Sequence, residues 1–231
     1  MQIIYEDSDI IAVNKPAGVS VHPDRHHPSD TLIQMIAGQF PEIEGVGEDP
    51  LRPGVVHRLD KDTSGVLVVA RNQEAFDYLK KQFHMRTVVK EYAALVVGKV
   101  KEKKGTIDMP IGRSKNDPTR RAAEGLMRGM VREARTDYEV IEYFGGGYTL
   151  VRLFPKTGRT HQIRVHMKAI GYPIVCDKLY AGKRFVCPFG LNRHFLHAST
   201  LEIALPQSGK IRLEADIPVD LERVLEGLRN A

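Results

Sequence analysis

The sequence His57-Arg58-Leu59-Asp60-Lys61-Asp62-Thr63-Ser64-Gly65-Val66-Leu67-Val68-Val69-Ala70 carries more information on fold and chemistry than any other stretch of this chain. Its second part, Val66–Ala70, is short, apolar and rich in β-branched residues, and Gly65 opens it, which predicts a buried strand. Asp60 is then a carboxylate in a loop at the end of a core strand. Polar loop residues held by a rigid strand are typical of catalytic sites, and core formation alone does not require them.

The same loop also permits a purely structural interpretation. Asp60 and Asp62 could pair with Arg58, Lys61 or backbone amides in an ordinary surface turn. For an aspartate considered alone, such pairing is the commoner role. Residues elsewhere in the chain therefore decide between the two interpretations.

The composition is typical of soluble globular proteins. Of 231 residues, 42% are hydrophobic and 27% are charged, and this length predicts one large domain, residues 1–231. No apolar run in the sequence is long enough to cross a bilayer, and residues 1–14 do not resemble a signal peptide. Cys176 and Cys187 are too few for a disulfide framework and suit the reducing cytoplasm, where we expect the protein to act. The formal net charge of +5 gives modest support for a polyanionic partner.

Hydrophobic periodicity predicts more strands than helices, and several strands arrive in hairpins. We expect strands at Ile3–Tyr5, Ile10–Val13, Val66–Ala70, Val88–Val97, Thr136–Glu142, Tyr148–Phe154, His194–Leu205 and Lys210–Ile217. Gly145-Gly146-Gly147 and Pro206–Gly209 are the expected hairpin turns. The fold class is therefore α+β, with a mainly antiparallel central sheet and helices packed on it.

Four helices are predicted from apolar faces and end signals. Asp30 is the expected N-cap of the first helix, and Asn72 is that of the second. The apolar face of the first helix contains Leu32, Ile33, Ile36 and Phe40. That of the second contains Phe76, Leu79 and Phe83. The third helix, His161–Ile170, ends at Gly171 and Pro173, and the fourth is Pro218–Leu228, with Leu221, Val224, Leu225 and Leu228 inward.

A second polar stretch, residues 155–166, contains Arg159, His161, Arg164 and His166 close to a glycine. On a helix, His161 and Arg164 are three positions apart and could face one cleft. An arginine near a carboxylate would keep that carboxylate ionised through its charge and paired hydrogen bonds. A solvated basic helix face is an equally good interpretation from composition alone.

A third candidate is Lys90-Glu91-Tyr92, at the start of an otherwise apolar strand. A buried tyrosine is usually a core residue with a satisfied hydroxyl. In a nucleic-acid enzyme, an aromatic ring near the catalytic group can instead be a stacking surface for an extracted base.

The segment from residue 113 to 135 is strongly basic. Its charged residues are Arg113, Lys115, Arg120, Arg121, Arg128, Arg132 and Arg135, against Asp117, Glu124 and Glu133. This imbalance favours contacts with phosphates, with an affinity that falls as salt rises. A mobile, solvated loop is the alternative, and the two are compatible.

Taken together, the motifs resemble the RluA family of pseudouridine synthases. The matching features are His-Arg-Leu-Asp-x-x-Thr-Ser-Gly at 57–65, Lys-x-Tyr at 90–92 and Gly-Arg-Thr-His-Gln-Ile-Arg-Val-His at 158–166. Weaker matches are Asn14-Lys15-Pro16-Ala17-Gly18 and Leu196-His197-Ala198. The motifs follow the family's order from about residue 8 to 217, and two of them are too long for a chance match.

The resemblance implies specific roles for several residues. Asp60 corresponds to the family's essential aspartate, and Tyr92 to the active-site tyrosine that packs against the target base. Arg164 corresponds to the arginine that pairs with the aspartate, and Arg58 to the side chain that enters the space vacated by the flipped uridine. The other expected substrate-binding residues are His57, Lys90, Arg159 and His161.

The resemblance also implies the reaction and its partner. We expect a pseudouridine synthase catalytic fold with the active site in a cleft over the sheet, acting on specific uridines of ribosomal or transfer RNA. The expected partner is an RNA stem-loop with a flipped uridine, and the protein is expected to be a monomer. The isomerisation adds no group and changes no redox state, so we expect no cofactor and no metal. The aspartate could attack the sugar, attack the base or remove a sugar proton.

The chain also departs from the family pattern. Larger members have a small RNA-binding domain before the catalytic part, which we expect to be missing here because the motifs begin near Met1. Cys176 stands where members commonly have a glycine, before the aspartate matched by Asp177.

Two other classes of protein compete with this interpretation. A zinc hydrolase could use Cys176, Cys187, His194 and His197, with further histidines at 22, 26 and 27, but their spacing matches no compact zinc site. A non-catalytic RNA-binding protein on a synthase scaffold is the other class, and the presence of Asp60, Tyr92 and Arg164 argues against it.

Overall fold

The computed structural model describes residues 1–23, 29–117, 119–123, 125, 127–205 and 209–231. Within them the chain forms two compact units. The first unit comprises Met1–Lys90 and Ala198–Asp216, and the second comprises Glu91–His197 and Ile217–Ala231. Both combine helices with antiparallel strand pairs, so the predicted α+β class is confirmed. No helix within the described residues is long and apolar enough to span a membrane.

The strands of the chain are β1 Gln2–Glu6, β2 Ile10–Lys15, β3 Ser64–Ala70, β4 Val89–Val97, β5 Lys104–Asp108, β6 Ile111–Ser114, β7 Arg121–Ala123, β8 Met127–Arg132, β9 Arg135–Phe144, β10 Tyr148–Pro155, β11 Leu196–Leu205 and β12 Gly209–Glu214. The α-helices are α1 Leu32–Gln39, α2 Gln73–Met85, α3 Gln162–Ala169 and α4 Val219–Arg229. Short 3-10 turns occur at Pro41–Ile43, Gly182–Arg184 and Pro188–Gly190.

In the first unit, β1, β2, β3, β11 and β12 follow one another across the sheet. All seven residues of β3 are buried, which confirms the strand predicted at Val66–Ala70. Its apolar side chains pack in one core with α2, whose Phe76 and Leu79 lie inward as expected. The N-cap of α2 is Asn72, whose Oδ1 accepts from the amide of Ala75 at 2.8 Å.

The N-cap predicted for α1 is wrong by one residue. Thr31, not Asp30, is the N-cap, and its backbone is extended as a cap requires (φ −93°, ψ 157°). Gln34 Oε1 accepts from the amide of Thr31 at 3.1 Å. Asp30 has a left-handed backbone with φ +59° and lies one residue before the cap.

In the second unit, β4, β10, β9 and β5 form an antiparallel sheet in this order. The predicted hairpin between β9 and β10 is confirmed, and Gly146 and Gly147 have positive φ values in its turn. The predicted inward face of α4 is confirmed as well, because its residues Leu221, Val224, Leu225 and Leu228 are buried.

The second unit also contains a three-stranded sheet, in the order β7-β6-β8, which the sequence did not predict. It is formed by the basic segment that begins at Arg113. Ile111 of this sheet is buried with Val165 of α3 and with Tyr180. The sheet therefore packs on the helix that contains Arg164.

Some predicted features fall on residues outside the described ones. These are part of the turn Pro206–Gly209, the histidines His26 and His27, and Glu124.

The two cysteines do not support a reducing compartment, as the sequence suggested, because they are bonded to each other. Cys176 and Cys187 form a disulfide, with 4.7 Å between their Cα atoms, a separation that suits such a bond. The amide of Cys176 donates to the carbonyl of Val186 at 2.8 Å, which brings the two segments together. Cys176 also has φ +58°, a conformation that glycine adopts most readily, and this accounts for the glycine common at this position in the family.

Candidate active site

The Asp60 loop is fixed at both ends within the first unit. Asp60 is half-buried, while Arg58 is exposed. The carbonyl of Asp60 accepts from the amide of Thr63 at 3.1 Å, which closes a turn before β3. Leu59 and Thr63 are buried. The backbone of the loop is therefore held inside the unit, with Asp60 partly accessible and Arg58 exposed.

A buried lysine anchors the middle of the loop. Lys15 is fully buried, and its Nζ donates to the carbonyls of Pro16, Val19 and Lys61, each at 2.8 Å. The carbonyl of Lys61 also accepts from the amide of Gly18 at 3.0 Å. Three backbone acceptors satisfy a buried ammonium group that would otherwise be costly. Lys15 thus ties the residue after Asp60 to the N-terminal turn.

His57 is attached to β3 by its side chain. Its Nε2 accepts from the amide of Val68 at 3.0 Å, and its ring stacks on Phe83, with 4.7 Å between ring centroids. Desolvation and the nearby charge of Lys90 lower the pKa of His57 to about 3. The imidazole is therefore neutral at physiological pH, with its proton on Nδ1.

Glycine is required where the loop enters β3. Gly65 has φ +120°, and a Cβ atom at this position would lie 2.1 Å from the carbonyl oxygen of Ala198. No side chain can be accommodated against that backbone. The close approach of the two strands therefore fixes the position at which the Asp60 loop leaves the sheet.

The second unit contains Tyr92, Arg159, His161 and Arg164. Tyr92 is half-buried on β4, where it is opposite Leu153 of β10 and packs against the core of this unit. Its neighbour Glu91 pairs with Arg152, with 2.8 Å between Oε1 and Nε. Tyr92 is thus one ring at the margin of an apolar core.

Arg164 is held by a buried carboxylate that the sequence analysis did not assign to the site. Its Nε and Nη2 donate to the two carboxylate oxygens of Asp177, at 2.8 and 2.9 Å. Both side chains are almost fully buried. Burial alone would raise the pKa of Asp177, but the hydrogen bonds and charge of Arg164 hold this pKa below its usual value. Two parallel bonds of this kind fix the plane of the guanidinium group.

Tyr180 connects several residues of the second unit. The Arg164 guanidinium lies over its ring, with 5.0 Å from Cζ to the ring centroid. Its hydroxyl lies 2.7 Å from Nδ1 of His161 and accepts from the amide of Arg121 at 2.9 Å. Tyr180 thus fixes His161 and Arg164 relative to each other and to β7.

A buried polar network holds the start of α3. Gln162 Oε1 accepts from Thr157 Oγ1 at 2.6 Å and from the amide of Arg159 at 3.0 Å. Gln162 Nε2 donates to Thr136 Oγ1 at 2.9 Å. His166, whose pKa is lowered by burial, lies 2.9 Å from the same hydroxyl. The helix that contains Arg164 is therefore bonded to β9 by several polar side chains.

The predicted site residues fall into two groups. His57, Arg58, Asp60 and Lys90 belong to the first unit, and Tyr92, Arg159, His161 and Arg164 belong to the second. The first group lies around one loop, and His161 and Arg164 meet at Tyr180. Sequence reasoning missed the roles of Lys15, Asp177 and Tyr180. The Asn-Lys-Pro-Ala-Gly motif at 14–18 was the available signal for Lys15.

The zinc interpretation finds no support in the structure. Its two cysteines are joined to each other. Within the described part of the chain, no group of three or more histidine, cysteine or acidic side chains is arranged to hold a metal ion.

Comparison with known proteins gives consistent results. Residues 9–169 match the family model described as RNA pseudouridylate synthase. An uncharacterized RNA pseudouridine synthase of Chloroflexus aurantiacus is 45% identical, with 94% of this chain and 66% of the relative covered. The ribosomal large subunit pseudouridine synthase D of Nitrosomonas europaea is 42% identical, with 100% of this chain and 66% of the relative covered.

A solved structure shares the fold. Human RNA pseudouridylate synthase domain containing 1 superposes with a TM-score of 0.76 and 30% sequence identity, covering 100% of this chain and 95% of that chain. The chain thus spans just under two thirds of the length of the two bacterial relatives and nearly all of the human structure.

Proposed function

Since this chain belongs to the RNA pseudouridylate synthase family, we propose that it isomerises specific uridines of ribosomal RNA to pseudouridine. The observation that carries this proposal is the half-buried Asp60 carboxylate, in a loop fixed to the buried strand β3 and to Lys15. Support for a ribosomal substrate comes from the relative named ribosomal large subunit pseudouridine synthase D. Transfer RNA is the alternative substrate, and its turnover should be compared with that of ribosomal RNA.

The reaction rearranges one nucleotide. The bond between C1′ of the ribose and N1 of uracil breaks, the uracil turns, and a new bond forms between C1′ and C5. C5 loses its proton, and N1 gains one, so substrate and product have the same atoms. Nothing in this balance requires a cofactor or a metal, and the proposal includes neither.

Asp60 is the proposed catalytic residue. One ionised carboxylate can attack C1′, add to the uracil ring, or remove a proton from the ribose. Each route needs a carboxylate that is charged and held in place. The bonds of the neighbouring Lys61 carbonyl to Lys15 and Gly18 favour such a fixed position.

The other proposed roles follow the family resemblance. By this resemblance Arg164 is the arginine that keeps the catalytic aspartate ionised, and its two bonds to Asp177 hold its guanidinium in a fixed orientation. Tyr92 packs against the target base. Arg58, which is exposed, enters the RNA where the uridine has flipped out.

The remaining substrate contacts are proposed for Lys90, Arg159 and His161. His57 is better suited to holding the loop, because its Nε2 and one face of its ring are occupied by Val68 and Phe83. We also propose that the protein is a monomer and that it acts on a structured RNA in the cytoplasm.

The decisive test compares Asp60→Asn with Asp62→Asn. Both changes remove one carboxylate from the same loop, but Asp62 is exposed and has no proposed task. We expect Asp60→Asn to lower turnover at least about 10³-fold, since the reaction loses its reactive group, and Asp62→Asn to stay near wild type. The measurement is release of tritium from uracil labelled at C5, in unmodified ribosomal and transfer RNA transcripts.

Binding of the same transcripts by the Asp60→Asn variant is the control for folding and should match wild type. Appreciable isomerisation by that variant would contradict the proposed role of Asp60. Tight RNA binding by wild type without any tritium release would instead favour the non-catalytic RNA-binding protein.

A further inference from the structure

We propose that Arg113, Arg121 and Arg128 of the three-stranded sheet form one binding site for consecutive phosphates of the RNA backbone. These three residues are called the arginine row below. The inference rests on the proposed function, because it states which part of the RNA the second unit holds.

The register of the strands places the three side chains next to one another. Arg113 of β6 is opposite Arg121 of β7 and opposite Arg128 of β8. Directly paired residues of antiparallel strands project from the same face, with Cβ atoms about 5 Å apart. The row therefore crosses all three strands on one face. Arg113 and Arg128 are exposed, and Arg121 is half-buried.

Such an arrangement is unfavourable in the absence of an anion. Like charges directly opposite each other destabilise a sheet. Residues 111–132 contain six basic and two acidic residues, and the carboxylate of Asp117 pairs with Arg120, at 2.9 Å between Oδ2 and Nε, outside the row. A polyanion that lies along the row would neutralise this repulsion. Arginine is also the residue best suited to grip phosphate with two hydrogen bonds.

The dimensions of the row fit a nucleic-acid strand. Neighbouring strands lie about 4.8 Å apart, so three strands span about 10 Å. Successive phosphates of one strand rise by about 3.4 Å along the axis of a B-form duplex and are farther apart through space, so the row covers two or three of them. A single anion would need only one or two of these arginines.

The row is fixed to the part of the second unit that contains Arg164. On the same face, two residues farther along β6 and β7, Ile111 and Ala123 are paired and pack with Tyr180. Two strand residues correspond to about 7 Å. The amide of Arg121 donates to the Tyr180 hydroxyl, and the Tyr180 ring lies beneath the Arg164 guanidinium. Phosphates on the row would thus be held at a set position relative to Arg164.

The test compares two triple variants with equal loss of charge from the same segment. The row variant is Arg113→Gln, Arg121→Gln and Arg128→Gln. The off-row variant is Lys115→Gln, Arg120→Gln and Arg135→Gln, and its two arginines pair with Asp117 and Asp137. Binding of a labelled synthetic RNA stem-loop with uridines in its loop is measured over a range of salt concentrations.

We expect the row variant to reduce the slope of log K against log salt by about 2 to 3, because each lost phosphate contact accounts for 0.7–0.9. The off-row variant should change the slope by less than about 1. Equal changes in both variants, or an unchanged slope in the row variant, would overturn the proposal. Thermal unfolding is the control for folding, and the row variant should be at least as stable as wild type because repulsion is removed.

Turnover separates this inference from the proposed function. At saturating RNA, the row variant should keep kcat within about threefold of wild type while KM rises, because its residues only bind the backbone. If wild type releases no tritium at all, the proposed function fails, whereas the salt slopes still decide whether the row binds phosphates.

Discussion

The imidazole of His57 takes the place of a backbone carbonyl beside β3. The residues just before His57 pair with the end of β3: the carbonyl of Gly54 accepts from the amide of Ala70, and Val55 is bridged to Val69. The next amide of β3, that of Val68, donates to His57 Nε2 instead. The chain can therefore leave the strand and enter the Asp60 loop without an unpaired amide in β3.

This arrangement predicts a dependence of stability on pH. The unfolded chain binds a proton at His57 below a pKa of about 6.5, whereas the folded protein does so only near 3. Between these values the unfolded state binds more protons, so stability falls as the pH falls. Between pH 7 and 5, His57 should account for about 2 kcal/mol of lost unfolding free energy.

The measurement is urea unfolding of wild type and of His57→Gln at both pH values. Glutamine offers an oxygen acceptor to Val68 but does not titrate. The variant should therefore lose about 2 kcal/mol less than wild type between pH 7 and 5. His166 is present in both proteins and cancels in the difference. The same pH dependence in the two proteins would contradict the assignment.

At the residue scale, the sequence was informative where a motif combines unusual residue types. Asp60 and Arg164 became candidates because they lie in polar stretches, and the family resemblance of the motifs around them then assigned their roles. Tyr180 could not be chosen, because its role depends on contacts with His161, Arg164 and the amide of Arg121. These partners are distant in sequence, and no local pattern indicates them.

At the scale of elements, β3 depends on the absence of a side chain at Gly65. Gly65→Ala should lower the unfolding free energy by about 2–4 kcal/mol, because the new Cβ atom meets the Ala198 carbonyl and the positive φ is strained. The Asp60 loop would be displaced with it, so turnover should fall as well. Urea unfolding and tritium release measure the two effects.

Gly38→Ala is the matched control in the same unit. Gly38 lies in α1 with an ordinary φ, and no atom lies within 4 Å of an added Cβ. Alanine should therefore raise stability by about 0.5 kcal/mol. Equal stability of the Gly65→Ala and Gly38→Ala variants would refute the close-contact argument.

Elements with regular periodicity were predictable from the sequence, and irregular ones were not. The apolar spacing of α2 and α4 indicated both their type and their buried faces, and the short β-branched run of β3 indicated a buried strand. By contrast, most residues of β8 are exposed, so no alternation marks it as a strand. Its place beside β6 follows from pairing across a loop, which is a property of the folded chain.

At the scale of the whole molecule, the disulfide acts chiefly on the unfolded chain. It joins two cysteines that are 11 positions apart. In the chain-entropy description, closing a loop of this size stabilises the folded state by about 3 kcal/mol. Reduction should therefore lower the unfolding free energy by about that amount.

Urea unfolding with and without dithiothreitol measures this effect, and Cys187→Ser is the control. The variant should resemble reduced wild type and should not respond to the reductant. If fully reduced wild type, verified by thiol titration, is as stable as the oxidised protein, the prediction is wrong.

The position of β3 in the first unit has a consequence for how the protein is made. β3 lies between β2 and β11, yet the Ala198–Leu205 part of β11 is translated about 130 residues after β3. At ordinary elongation rates this interval is on the order of 10 s. Throughout it, the part of β3 that later pairs with β11 has an open edge, and an open edge on an apolar strand can pair with another chain. The Asp60 loop is therefore encoded early, whereas the strand approach at its Gly65 end, against Ala198, forms only after about 130 further residues have been made.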